Sequence, residues 1–165
     1  MERAAKAAAV RDKALDLLAA RPLSRKELVD KLTARPRNRE KEPLADRETA
    51  EAVADRLEEL GYLNDEAYAR TVADHYAAKG WGPARIRDEL YRRGVPRDYW
   101  DEALEDLEAP DDAIDAFLQK KLRGADLADP KSYQRAANAL ARRGFRWEDI
   151  KEGLRRYGGA LEEEF

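Results

Sequence analysis

Residues 61–107 read GYLNDEAYARTVADHYAAKGWGPARIRDELYRRGVPRDYWDEALEDL, and the punctuation of this stretch decides the fold. Asn64 stands where a side-chain oxygen caps the first N–H groups of a helix, and Asp65 and Glu66 follow at the positive end of its dipole. Leu63, just before the cap, is placed to staple onto Tyr68. Tyr68, Val72 and Tyr76 then recur at helical spacing until Gly80 stops the run. Gly82-Pro83 opens a second helix, because proline at the first helical position lacks only a donor that the helix does not need. Trp81 is placed to staple onto Ile86, and Ile86 and Leu90 carry the apolar face. Arg92-Arg93-Gly94 closes the helix with two cations and a glycine suited to the left-handed C′ position. Pro96 opens a third helix with Tyr99, Trp100, Ala103, Leu104 and Leu107 on its apolar side.

The same pattern extends outward in both directions. A shift of 58 residues toward the N-terminus carries Tyr68 onto Val10, Val72 onto Ala14, Ile86 onto Leu28 and Leu90 onto Leu32. Ser24 and Glu27 there form a capping box, stapled by Leu23 and Leu28. The third helix needs a shift of only 47, which carries Trp100 onto Val53 and Leu104 onto Leu57. The difference is an 11-residue insertion at 35–45, RPRNREKEPLA, read as an exposed loop. A shift of 50 toward the C-terminus carries Arg92-Arg93-Gly94 onto Arg142-Arg143-Gly144, and Trp100 and Leu104 onto Ile150 and Leu154. Asp129-Pro130 opens a helix there, and Pro110 to Arg123 is the helix before it. Gly158-Gly159 reads as the terminator of the last helix.

The expectation is therefore an all-α chain of three tandem three-helix repeats, helix-turn-helix-like units at 1–62, 63–108 and 109–158, ending in an acidic tail at 159–165. Charged residues make up 41% of the 165 and mean hydropathy is −0.85, which suits an elongated string of small units with a thin core. No stretch alternates as a strand. The absence of cysteine excludes disulfides and thiolate metal sites. The first twenty residues are too charged for a signal peptide and too short for a membrane span, so a cytoplasmic protein without membrane attachment is expected.

Catalysis finds little support. His75 is the sole histidine and lies in a helix with Val72 and Tyr76, where a packed structural role suffices. The carboxylate pairs lack the apolar surroundings that would raise one pKa. No phosphate loop or dinucleotide fingerprint occurs. No catalytic residue, metal site or cofactor is expected. The net charge of −3 conceals segregation: 79–97 and 131–156 are net basic, whereas 98–115 is acidic with no Lys or Arg. Arg92, Arg93, Arg142 and Arg143 stand in the last turns of second helices, where capping of free carbonyls explains them. They also create two spaced cationic patches, open to phosphate or to an acidic protein groove. Arg85 lies off the Ile86–Leu90 face, and Arg155 is less plainly needed as a C-cap than Arg156. These six arginines are the contact candidates. Trp81 and Trp100 read as packing residues, and Trp147, which opens the last helix, as more exposed.

Gly61-Tyr62-Leu63-Asn64-Asp65-Glu66-x-Tyr68-Ala69, followed by Lys79-Gly80-x-Gly82-Pro83-x-Arg85-Ile86-x-x-Glu89-Leu90-x-x-Arg93-Gly94-Val95, resembles the core signature of the RecX regulatory proteins. The resemblance implies three tandem repeats in an elongated, curved molecule. It implies an inhibitor of the RecA recombinase that lies in the groove of the RecA–single-stranded DNA filament, with weak DNA binding of its own and no catalytic residues. It places the chain in homologous recombination, DNA repair regulation and the SOS response. A monomer is expected, since no long heptad pattern occurs. The alternative from the residues alone is a helix-turn-helix-like DNA-binding module acting without RecA. The slightly acidic net charge stands against it.

Overall fold

Several helices begin at a side-chain cap or an N-terminal proline, and several end at a glycine of positive φ. In the computed structural model, which describes residues 2–107, 109–122 and 127–163, the α-helices are α1 (Glu2–Ala20), α2 (Arg25–Thr33), α3 (Arg47–Glu59), α4 (Asp65–Ala78), α5 (Pro83–Arg92), α6 (Trp100–Glu105), α7 (Pro110–Lys121), α8 (Pro130–Arg142) and α9 (Trp147–Glu163). No strand occurs among the described residues. Ser24 caps α2 through the full capping box, with Ser24 Oγ accepting from Glu27 N at 3.0 Å and Ser24 N donating to Glu27 Oε1 at 3.1 Å. Asp46 caps α3 through Thr49 N at 2.7 Å, and Asn64 Oδ1 accepts from Ala67 N at 3.0 Å. Such a cap stabilises a helix start by about 1 kcal/mol.

Three details differ from the sequence reading. Pro96 does not open an α-helix directly, because a single 3-10 turn at Arg97–Tyr99 precedes α6. After this turn, Trp100 and Ala103 of α6 are buried. The inserted stretch 35–45 is non-helical as expected, but it is anchored: Ala45 is buried and its N–H donates to Leu32 O at 3.2 Å. Gly158-Gly159 does not terminate α9, which runs on to Glu163. A glycine inside a helix costs about 1 kcal/mol without breaking it, and the following Ala160, Leu161, Glu162 and Glu163 favour helix. The acidic stretch is thus helical as far as Glu163. Glu164 and Phe165, and Arg123 at the expected end of α7, lie outside the described residues.

The chain divides into two compact units, Met1–Ala69 with Leu90–Tyr99, and Arg70–Glu89 with Trp100–Phe165. In the first, α1, α2 and α3 pack on one another around Val10, Ala14, Leu28, Leu32, Ala50, Ala54 and Leu57, all essentially inaccessible to solvent. In the second, α7, α8 and α9 pack around Ile114, Leu118, Leu140, Ile150 and Leu154. Each leucine buried in this way contributes about 1.5–3 kcal/mol relative to leaving it exposed.

Candidate anion-binding surface

Within the second unit the start of α5 is seated against the end of α8 by main-chain bonds. Gly82 N donates to Arg143 O at 2.6 Å, and Ala84 N donates to Gly144 O at 3.0 Å. The first N–H groups of α5 and the last carbonyls after α8 thus satisfy one another, two sets that a helix leaves orphaned at its ends. The fit depends on two glycines. A Cβ at Gly82 would come within 2.5 Å of Gly144 O and Phe145 N, and both neighbours are backbone. Gly144 has φ +95, and a Cβ there would meet the Arg85 Cβ at 2.6 Å.

This seating brings three of the expected arginines together. Arg85, Arg142 and Arg143 line one open depression of about 620 Å³ with Lys121, Phe117 and Ala139. Two of the cations are held by aromatic faces. The Arg85 guanidinium lies 3.8 Å from the Trp81 ring centroid, and Trp81 is stacked at 4.0 Å on Tyr76. The Arg143 guanidinium lies 4.5 Å from the Phe117 ring. A ring face attracts a cation by about 0.5–1 kcal/mol at an exposed site, enough to orient it while its N–H donors stay available. Arg142, at the end of α8, is exposed. The chemistry on offer is multiple donation from planar forks to an oxyanion.

The other three candidates lie elsewhere. Arg93 belongs to a polar network in the first unit, where its Nη1 donates to the Tyr68 hydroxyl at 2.8 Å and that hydroxyl donates to Glu27 Oε1 at 2.7 Å. Ser24 Oγ donates to the Arg93 carbonyl. Burial works against the Glu27 carboxylate, yet hydrogen bonds from Tyr68, from Ser24 N and from Arg21 outweigh it and hold its pKa below the ordinary value. Burial and the bond to Glu27 push the Tyr68 hydroxyl up. Arg92 is exposed at the end of α5. Arg155 is exposed on α9 and pairs with Glu152 one turn before it. Arg156 is no C-cap, because α9 continues beyond it; it bonds Asp115 at 2.9 Å and so ties α9 to α7.

Sequence reasoning missed Lys121 and the cationic use of Phe117. They stand at i and i+4 on α7, a spacing that places them on one face, but neither neighbours the Arg142-Arg143 pair in sequence. Trp81 stacks on Tyr76 instead of acting only as a staple, Trp147 is 57% exposed as read, and the exposed His75 meets Tyr76 edge-on at 4.9 Å. No cluster of three metal-ligating side chains occurs among the described residues, and no helix there is long and apolar enough to cross a membrane.

Comparison with known proteins gives this arrangement a family. Residues 64–104 match the model of the second three-helix domain of RecX, and residues 110–154 that of the third. The chain is 38% identical to the regulatory protein RecX of Pseudomonas entomophila over 143 residues, 86% of this chain and 87% of the relative. It is 39% identical to that of Pseudomonas putida strain W619 over 139 residues, 83% of each. Among solved structures, RecX from Lactobacillus salivarius superposes with a TM-score of 0.76 over 93% of this chain and 97% of that one, at 21% identity. A second RecX crystal structure gives 0.72 over 88% of this chain and 70% of that one, also at 21% identity. With matched domains over more than half its length and relatives this similar along most of it, the chain belongs to the RecX family of regulatory proteins.

Proposed function

We propose that the chain is a non-enzymatic regulator that binds the RecA–single-stranded DNA filament in its groove and inhibits the recombinase, ATPase and coprotease activities of RecA. The observation that carries this reading is the depression formed by Arg85, Lys121, Arg142 and Arg143. It concentrates four cations in a chain whose net charge is −3, and two of them are pre-oriented on aromatic rings. Such a surface meets a phosphate backbone or an acidic protein groove with little ordering cost. Arg92, Arg93 and Arg155 are the secondary contact candidates, and Arg92 and Arg155 are the more accessible of these.

On this reading the modules 1–62, 63–108 and 109–158 act as linked contacts to successive RecA protomers. Each contact is weak, and the chain multiplies them through effective concentration. The protein works as a monomer in the cytoplasm, beside single-stranded DNA, with weak duplex binding and no cofactor.

The test is RecA-dependent ATP hydrolysis and strand exchange with the protein added at stoichiometric ratios. Wild type lowers both, and Lys121→Glu with Arg142→Glu relieves the inhibition while leaving helicity intact by circular dichroism. Absence of inhibition by wild type rejects the reading. Tight duplex binding without RecA would instead favour the helix-turn-helix-like DNA-binding alternative.

A further inference from the structure

A second concavity in the same unit has the opposite character. Trp81, Ile86, Leu104, Leu107 and Phe145 supply its apolar walls, and its volume of about 400 Å³ is within the range of ligand and side-chain pockets. Its lining residues include Asp74, Asp106 and Asp112 and no Lys or Arg. Asp106 is partly neutralised by Arg70 at 3.4 Å. Asp74 and Asp112 are exposed and make no ion pair among the described residues. The segment 98–115 on one side of it holds no Lys or Arg, while on the other side Lys79 lies over the Tyr76 ring and Arg85 over the Trp81 ring, neither paired with Asp74 or Asp112.

We infer that this pocket is a docking site for a protein segment that presents a basic side chain beside a bulky apolar one. Charge complementarity selects the occupant. Single-sign carboxylates at a concave apolar mouth repel phosphate, so nucleic acid is the wrong class of ligand. A purely apolar segment would leave Asp74 and Asp112 facing it without a partner, at a desolvation cost. A Lys or Arg side chain meets both demands, because its aliphatic stem lies along apolar surface while its head reaches a carboxylate. An adjacent leucine-like anchor then fills the space between Trp81 and Leu107, in the way that buried anchors dominate protein interfaces. The regulator thus carries two chemically distinct surfaces in one unit, one for anions and one for a basic, apolar protein segment. Only the identity of the partner rests on the function proposed above.

The test uses the full chain alone, so it stands apart from any outcome with RecA. Isotope-labelled protein is titrated with the capped tripeptides Leu-Lys-Leu, Leu-Glu-Leu and Gly-Lys-Gly while backbone amide shifts are followed. Saturable shifts at residues 74–83 and 104–113 are expected with Leu-Lys-Leu only. The double variant Asp74→Lys, Asp112→Lys should weaken that binding at least tenfold, and Ala109→Trp at the exposed lining should do the same by obstruction. Both variants change exposed positions, and circular dichroism checks that they remain folded. Absence of saturable shifts up to about 10 mM peptide, a limit that corresponds to only a few kcal/mol of binding, would overturn the inference. Equal response to the acidic or glycine peptide, or unaltered affinity in both variants, would do the same. Concentration-dependent shifts at these amides without peptide would assign the pocket to a second copy of the chain and overturn it too.

Discussion

Gly144 answers two requirements at once: a backbone angle that side chains resist, and an approach to Arg85 that leaves no room for one. Gly144→Ala should therefore destabilise the second unit by about 2–3 kcal/mol, the sum expected of a left-handed alanine and a close contact. Urea unfolding followed by circular dichroism reads this directly. Another single-residue effect concerns acid. Burial raises the pKa of Asp65, more than its bond from Arg25 N lowers it, whereas the Glu27 pKa is depressed. The signs are opposite. Asp65 is destabilising when charged, so acidification first relieves a cost as pH falls through its raised folded pKa. Glu27 contributes stability above its unfolded pKa and loses it as pH falls through its lowered folded value. Melting temperature should rise slightly and then fall as pH drops from neutral. Asp65→Asn should remove the rise, and Glu27→Gln should remove much of the fall. At this scale the sequence was only partly legible. Arg85 and Arg155 look alike as letters, each an arginine beside a helical apolar face. Only packing separates one stacked on Trp81 from one paired with its own helix neighbour.

Helix starts and stops were the most readable features, because caps, prolines and glycines act locally. Ser24, Asn64, Pro83, Pro110 and Pro130 mark the N-termini of the helices that follow them, whereas the Asp46 cap of α3 was not read. What failed is instructive in the same terms. Gly158-Gly159 has the composition of a stop, but termination also needs a chain that gains by turning away, and Ala160 to Glu163 are good helix formers. Gly158 has open space around its Cα, so Gly158→Ala should stabilise α9 by about 0.5–1 kcal/mol, seen as a higher melting temperature. A recurrence between elements was hidden for a different reason. The start of α2 meets the Arg93 carbonyl through Ser24, and the start of α5 meets the Arg143 carbonyl through Gly82. The sequence repeat aligned Arg93-Gly94 with Arg143-Gly144 as helix ends, which is correct. That each such end is received by the beginning of an earlier helix is a long-range fact, and pattern along one strand of text does not contain it.

For the molecule as a whole, composition fixed what kind of object to expect, and charge segregation fixed where to search. With 32 basic and 35 acidic residues, net charge contributes no general attraction to nucleic acid. On the function proposed above, binding to the RecA–DNA filament comes instead from local cation clusters and is strongly weakened by salt. If Lys121 and Arg142 meet phosphates, their joint reversal should reduce the slope of log affinity against log salt by about 2. Fluorescence anisotropy of the labelled protein across a salt series measures this, and an unaltered slope would place those side chains off the nucleic acid. The family followed from residues 61–95, and two of the signature positions there, Gly82 and Arg85, also seat α5 and supply its stacked arginine. The two compact units were not foreseen, because they share out α4 and α5 in a way that no composition boundary announces. The stack of Tyr76, Trp81 and Arg85 has an optical consequence. An indole sandwiched between a phenol and a guanidinium emits differently from one freed on either face, so a ligand that draws Arg85 toward itself reports its own arrival as a change in ultraviolet emission. With Trp100 and Trp147 replaced by phenylalanine, the regulator would carry a built-in lamp at the spot where its cations are engaged.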